Sequence, residues 1–563
     1  MIWTLAAQKE FDYSDGQTAE RYLGKVLNKA NDLSSDSFEL EKFIKDWPSE
    51  YHLSRKRAQL LSCFEFDQSK KVLEVGCGCG AITRFLGETF DHVLAVEGSP
   101  VRSRLARLRT KNMQNVSIIC APFQELKFRE HFDIIFCIGV YEYSNEFIAD
   151  PDPYDTVLQY FHNTLKSDGI LVVAIENQFG LKYFASRRED HTGIKFDGLE
   201  GYPHFGNKAK TFGYEDLENR LRKYFAQTKF YFPYPDYKLP SCILTKQFFE
   251  KVKLGELVGN VSSRDYFYNQ KSIFDEKLVL IEIDKNNQLP FFSNSFLVFA
   301  GKTKISSTGF RHLGLIYTTD RLKKFQTITR FVEQKNGSIW AEKDPIYGIT
   351  EIKDGKLTLR SLKDKWIDGL SIQMQLMKRS KERYISINEL FTPCKKWLKQ
   401  LKRISLFQEN ELWLDGKYVD CIWRNSYIQG NQCLFIDLEW EWEDKIRLKI
   451  IVIRSIYLFL NDLSSLSGIS PVLKKRSMKQ LISTIAETIG IKIHNKDFNE
   501  FFQLHAEIMN IVYGSNKTIK IYSMKLKFWN TPLFTFFHTL TEKIGATAQM
   551  LPKIADRLLK KIA

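Results

Sequence analysis

KVLEVGCGCGAITRF, residues 71–85, sets three glycines and two cysteines between an apolar run and a segment with helical character. KVLEV is a short strand candidate, and AITRFLGETF continues it as a helix. Gly76, Gly78 and Gly80 fall in the connection, where glycine permits backbone angles and close approaches that a side chain would obstruct. The helix beginning there has free amides able to meet an oxygen-rich ligand. The next apolar strand, HVLAVEGS at 92–99, ends at Glu97, and a carboxylate at the tip of a second strand suits a ribose diol. The glycine turn and the acid, in that order, point to an α/β nucleoside-cofactor site and away from a bare structural turn.

The alternation continues down the chain. NVSIICAPFQEL (115–126) reads as a third strand and its loop, and FDIIFCIGVYEY (132–143) as a fourth. ILVVAIENQFGLKYF (170–184) supplies a fifth strand, then a loop holding Glu176 and Asn177. YFPYPD (231–236) and PSCILTKQFF (240–249) are candidates for the strands that close the sheet. In the loop after the third strand stand Ala121, Pro122 and Phe123. Phe123 is placed to stack on a nucleoside ring or to form an ordinary hydrophobic lid.

The glycine string distinguishes two cofactors. Dinucleotide folds use G-x-G-x-x-G because a pyrophosphate must approach the helix terminus. Here the string is E-V-G-C-G-C-G, and Glu74 would be awkward beside a diphosphate but suits the ammonium of a methionine moiety. This resembles motif I of class I S-adenosylmethionine (SAM)-dependent methyltransferases, with Glu97 resembling their ribose-binding acid. Cys77 and Cys79 form only a C-x-C with no nearby Cys/His pair to complete a zinc set, and read as turn fillers.

Further strings narrow the resemblance: FDYSDG (11–16), YHLS (51–54), EGS (97–99), IGVYEY (138–143), AIENQFGLKYFA (174–185), HTG (191–193), FDGLEGYP (196–203) and PYPDYKLP (233–240). Together they resemble a bacterial methyltransferase group encoded with surface-polysaccharide synthesis, which includes the bifunctional methyltransferase–kinase that caps O-antigen chains. The resemblance implies SAM as cofactor and a lipid-linked or growing polysaccharide as acceptor. Methyl transfer by in-line attack requires mainly that an oxygen and a carbon be aligned. A sugar hydroxyl gains from a base, whereas a phosphate oxygen is already anionic. His52, Glu142 and His191 are candidates for acceptor contact or deprotonation, each with a bracing role as its alternative. Tyr13 and Asp15 either close over SAM or tie down the amino terminus. A Rossmann domain that binds no cofactor, and a small metabolite as acceptor, stay open.

From about residue 301 the pattern changes. FQTITRFVEQKNGSIWAEKDP carries two strand-like segments around Asn336–Gly337, and GITEIKDGKLTLRS another pair around Asp354–Gly355. NELFTPCKKWLKQLKRI has the spacing of an amphipathic helix. In YVDCIWRNSYIQGNQCLFIDLEW (418–440), Asp420, Asn425 and Asp437 resemble the base and the two magnesium-binding positions of a protein kinase, and Lys343 its phosphate-pairing lysine. The resemblance implies ATP and Mg2+ there. The departures are large. No GxGxxG precedes Lys343, and no His-Arg precedes Asp420. Only 22 residues (344–365) separate Lys343 from the hinge-like WIDGLS, leaving little room for a helix carrying a glutamate partner. Glu351 cannot be given that task from sequence. A kinase-derived docking domain for glycosyltransferases is the non-catalytic alternative.

The expected architecture is therefore an α/β, Rossmann-like methyltransferase domain followed by an atypical, shortened kinase-like α+β domain and a helical tail. The divisions are an amino-terminal helical lid (1–50), the methyltransferase domain (51–250), connecting elements (251–300), the kinase-like domain (301–470) and a basic helical region (471–563). With 44% hydrophobic residues the chain can bury real cores. Its net charge of +15 favours anionic partners; no nucleic-acid signature accompanies it. Nine cysteines without framework spacing suit a reducing cytosol, and MIWTLAAQKEFDYSDG is a poor export signal. IVIRSIYLFLNDLSSLSGI, interrupted by Arg454 and Asp462, falls short of a membrane span. Residues 524–563 hold seven Lys/Arg against two acids among several aromatics. This composition suits peripheral contact with the cytoplasmic face of an inner membrane, or packing on protein.

Overall fold

KVLEV forms strand β2 (Lys71–Val75) near the centre of the first unit's sheet in the computed structural model. The structure describes residues 2–4 and 14–514, apart from 205–208, 262, 267–271, 306–307, 349 and 475. Tyr13 and the basic 524–563 segment, both singled out from sequence, lie outside the described residues. Two compact units divide the chain, Met1–Ile316 and Tyr317–Ala563.

In the first unit β2 lies between β3 (His92–Glu97) and β5 (Phe132–Ile138), parallel to both. Beyond β3 come β4 (Val116–Cys120) and β1 (Ile2–Thr4), also parallel. Beyond β5 lies β6 (Leu165–Glu176), parallel again. The strand seated against β6 is β9 (Ser295–Gly301), antiparallel to it, and β7 (Gln227–Tyr234) pairs with β9's other edge. β8 (Cys242–Thr245) and β10 (Gly314–Thr318) complete the order. YFPYPD and PSCILT thus do enter the sheet, but SFLVFAG is inserted ahead of them. All seven β9 residues are buried, as expected of a strand covered on both faces.

Helix Ala81–Thr89 follows the glycine turn, and Pro100–Arg109 follows β3. The amino-terminal helix Gln17–Lys29 packs on the latter: Leu23, Val26 and Leu27 join Leu105 and Cys79 in one apolar cluster. Cys79 therefore ties the glycine turn to the amino-terminal layer. Its thiol is pushed above the ordinary range by burial, which leaves it an inert packing group.

The second unit is built on antiparallel pairs. β11 (Thr327–Glu333) and β12 (Ile339–Pro345) form the hairpin expected around Asn336–Gly337, and β15 (Leu362–Lys365) extends it. β13 (Glu351–Asp354) and β14 (Leu357–Arg360) form the second hairpin. Among its described residues the 344–365 stretch thus holds strands and no helix. Three further pairings follow. β16 (Leu406–Gln408), β17 (Glu411–Leu414) and β21 (Ile446–Arg447) make one sheet, β18 (Ser426–Gln429) and β19 (Gln432–Phe435) a hairpin, and β20 (Trp440–Trp442) pairs with β14.

NELFTPCKKWLKQLKRI is not one helix. A turn at Phe391 separates Ile387–Leu390 from Thr392–Ile404, with Pro393 in the first turn of the second piece, where its missing N–H costs nothing. Trp397, Trp423 and Phe459 meet edge to face at the centre, with neighbouring centroids 5.7 Å apart. The most apolar late segment becomes helix Leu448–Leu463, buried nearly all round. Its polar interruptions are paired: Arg454 with Asp420 at 2.7 Å, and Asp462 with Arg424 at 2.7 Å. No helix among the described residues is long and apolar enough to cross a membrane.

Candidate functional site

The glycine turn is positioned by its backbone. The amides of Gly76 and Cys77 both donate to the Val96 carbonyl, at 2.8 and 3.0 Å, binding the turn to the end of β3. All three glycines have positive φ. A Cβ on Gly80 would stand 2.7 Å from the Ala106 backbone, and one on Gly76 2.4 Å from Val140. At Gly78 a Cβ would meet nothing within 4 Å; this face of the turn is open. Glu97 accepts from the Gly78 amide at 2.7 Å and from the Ser99 amide at 2.9 Å. Burial pushes its carboxyl above the usual range against the pull of these amides and of Arg102.

Beside this acid lies a cleft of about 570 Å³, partly open to solvent. Gly76, Glu97, Gly98, Phe123, Val140 and Tyr143 are among its walls. The open face at Gly78 and the buried acid at the strand tip fit an adenosyl group. Phe123 borders the cleft, its ring stacked on Phe161 at 5.8 Å and meeting Tyr160 edge to face at 5.7 Å. Glu74 is buried and is not a wall of the cleft, although its Oε2 has no hydrogen-bond partner. Burial, with Glu97 nearby, pushes it up to about 7.

His52 and Asp15, separate candidates from sequence, are partners. His52 ends the helix Trp47–Leu53, and its Nε2 lies 2.8 Å from Asp15. Arg102 pairs with the same carboxylate and approaches Glu20 at 3.6 Å. Burial alone would raise Asp15, but His52 and Arg102 outweigh it and hold the acid at about 2. Burial lowers His52. This group braces residues 14–53 against β3's following helix. Cys79 brings a third metal-ligand atom within 4.8 Å, but the Arg102 cation opposes a metal there.

Glu142 and His191 come together with Glu176 at the carboxyl ends of β5 and β6. One ligand atom from each lies within 4.8 Å of the others. His191 Nε2 is 3.4 Å from Glu176, and its Nδ1 is 2.9 Å from the Tyr143 hydroxyl. Tyr143 therefore joins this cluster to the cleft it lines. Lys238 pairs with Glu176 and, at 2.8 Å, with Asp190; Lys182 reaches Asp190 at 2.7 Å. Glu189 accepts from the His191 and Thr192 amides.

Both Glu142 oxygens are buried with no hydrogen-bond partner. Burial and then Glu176 push this carboxyl up to about 8. Burial would raise Glu176 too, but Lys238 and His191 hold it well below the usual range. Burial lowers His191, yet Glu189, Glu176 and Glu142 together bring it up to about 9. With Glu142 neutral, the anions Glu176, Glu189 and Asp190 match the cations Lys182, Lys238 and His191. Arg102, Tyr143 and Lys238 were missed as site residues by sequence reasoning, although each lies in or beside a quoted string. Nothing in their spacing announces these pairings.

In the second unit Lys343, on β12, pairs with Asp437 and lies 3.4 Å from Glu439. Glu439 also holds Arg321 at 2.7 Å. The Asp437 amide donates to Asp364 at 2.7 Å, and the Ile436 amide to the Asn425 carbonyl at 3.0 Å. Asn425 donates to the Asp420 carbonyl at 3.1 Å. The glutamate beside Lys343 is thus Glu439. Glu351 sits half exposed on β13, facing Arg360 at 3.5 Å.

Residues 73–173 match a family model described as a methyltransferase domain. The chain carries a SAM-dependent methyltransferase domain. Its curated relatives include the malonyl-[acyl-carrier protein] O-methyltransferase of Bacillus anthracis, 28% identical over 134 residues, 23% of this chain and 45% of that protein. The Bacillus cereus protein of the same name is 29% identical over 106 residues, 18% and 36% of the two chains. This chain spans less than half the length of these relatives. Similar solved structures include the N-methyltransferase NodS of Bradyrhizobium japonicum in complex with S-adenosyl-L-homocysteine, with 15% identity, 51% and 99% coverage and a TM-score of 0.26. Another is phosphoethanolamine N-methyltransferase 1 of Haemonchus contortus, with 14% identity, 52% and 51% coverage and a TM-score of 0.28.

Proposed function

We propose that this protein transfers a methyl group from SAM to an oxygen of a surface-polysaccharide intermediate. The observation carrying the reading is Glu97, fixed by two backbone amides beside a cleft that Tyr143 also lines, and Tyr143 leads on to a buried proton-holding cluster. SAM supplies an electrophilic methyl on a sulfonium. Glu97 accepts from the ribose hydroxyls, and Phe123 offers a ring face. Tyr143 meets the acceptor oxygen. A hydroxyl proton leaves through the Tyr143 oxygen to His191 Nδ1 once that imidazole is neutral, while Glu176 holds the ring from its other nitrogen. His52, bound to Asp15, is a positioning residue in this scheme. The polysaccharide acceptor rests on the sequence resemblance.

Mass spectrometry of glycan from wild-type and Glu97→Ala cells tests the proposal: loss of a methyl group supports it, and unchanged glycan overturns it. The pH profile divides the acceptor oxygens. A hydroxyl acceptor gives kcat/KM that rises toward pH 9 as His191 loses its proton, whereas a phosphate oxygen gives a flat profile over that range.

A second reading adds phosphorylation of the glycan terminus before methylation. It is supported by the meeting of Lys343 with Asp437, and by Asn425 holding the strand end beside it. Lys343 would hold ATP phosphates, and Asn425 and Asp437 Mg2+. Against Asp420 as the base stands its ion pair with Arg454. ATP consumption with acceptor glycan and Mg2+, abolished in Asp437→Ala, is the expected result. Without turnover, this unit is left as an adaptor for glycosyltransferases.

A further inference from the structure

Helix Thr392–Ile404 buries Cys394, Trp397, Leu398 and Leu401 against the second unit's core. The remaining face carries Lys395, Lys396, Lys399, Lys402 and Arg403, all exposed. No acid occurs in the helix. A surface that serves only solubility mixes both signs; this one does not. The helix stops at Ser405 and β16 begins at once. Leu406 is 57% and Phe407 72% exposed.

The antiparallel register sets Leu406 opposite Trp413 and Phe407 opposite Leu412. Both faces of the hairpin are therefore apolar at its base. β16 is also the free edge of its sheet among the described residues. Edges that stay in water are usually blunted with charge or proline, and this one reads Leu-Phe-Gln.

We propose that this helix–hairpin is a docking surface for an anionic lipid bilayer. Apolar side chains enter the interfacial layer while adjoining cations meet head groups, so one partner satisfies both halves of the patch. A protein strand added to β16 would find only three residues to pair with, and would leave five cations facing no stated acid. Glu409, the one acid within 392–410, sits in the turn with Asn410, both at positive φ. The acid thus stands at the hairpin's tip, with Leu406 and Phe407 nearer its base. The surface, at 392–413, is separate in sequence from the basic 524–563 segment.

Flotation of the full chain with phosphatidylcholine vesicles, with and without phosphatidylglycerol, tests this. Wild type is expected to float only with the anionic vesicles and to be released by salt. Leu406→Ser/Phe407→Ser and, separately, Lys395→Glu/Lys399→Glu/Lys402→Glu should each lower partitioning about tenfold or more. Unchanged SAM affinity and circular dichroism establish that the variants are folded. Equal flotation of wild type and variants overturns the proposal and transfers binding to another segment. Absence of wild-type flotation also overturns it, leaving the edge to a protein partner.

Discussion

Two of the polar centres in this chain are built in opposite ways. In the first unit the cleft beside Glu97 is shaped by main chain: three positive-φ glycines, the Val96 carbonyl receiving two amides, and Glu97 clasped by two more. In the second unit Lys343, Asp437, Glu439 and Arg321 are held mainly by one another's charges. Main-chain geometry is fixed with the fold, whereas an ion network with Lys343 and Glu439 buried and Asp437 partly exposed depends on each member. Removing one partner leaves an uncompensated charge. The first centre should therefore be robust in shape and sensitive in binding, and the second sensitive in stability.

The largest expected effect tests the second half of that contrast. Lys343→Met should destabilise the second unit by about 3–5 kcal/mol, read by urea denaturation through tryptophan fluorescence, since seven of the ten tryptophans lie within 340–442. A loss below about 1 kcal/mol would show the network to be solvated. Next, Gly80→Ala should cost about 2–4 kcal/mol, because strain at φ +86° adds to the clash with Ala106. Gly78→Ala, with strain but open space, should cost about 1 kcal/mol while obstructing SAM in calorimetry. Equal losses at the two positions would mean the turn yields. Glu97→Ala should weaken SAM binding about 100-fold and, by leaving the Gly78 and Ser99 amides without their acceptor, cost about 1–3 kcal/mol of stability.

A separate effect concerns pH. Glu142 has a folded pKa raised to about 8, so the stability it contributes is full below its unfolded value near 4.5 and is lost as pH rises through 8. Glu142→Gln should flatten that decline, measured as the melting temperature between pH 5 and 9. The smallest effect is expected at Glu351→Ala, within about 0.5 kcal/mol, since its pairing with Arg360 is exposed.

What could be read from sequence follows the same division. The glycine turn, Glu97 and the two hairpins depend on local backbone demands, and these leave residue-level marks: glycine where φ is positive, an acid ending an apolar run. The insertion of β9 beside β6 left no mark, because SFLVFAG is uniformly apolar and would suit any covered position in the sheet. Glu439 was passed over for the same reason that Lys238 was: an ion pair between distant segments has no spacing rule. The single helix expected across Phe391 failed because apolar periodicity continues through a turn that Pro393 accommodates. Asp15 and His52 were both noticed, but only the packing of the amino-terminal helix shows that they satisfy each other.

The tie between Asp420 and Arg454 complicates any attempt to assign chemistry by deletion. An alanine at 420 strips the guanidinium of its counter-ion within an otherwise greasy helix, so lost turnover could report a collapsed scaffold as readily as a missing base. Asparagine, which preserves an oxygen for that guanidinium and discards the proton acceptor, separates architecture from chemistry at this position.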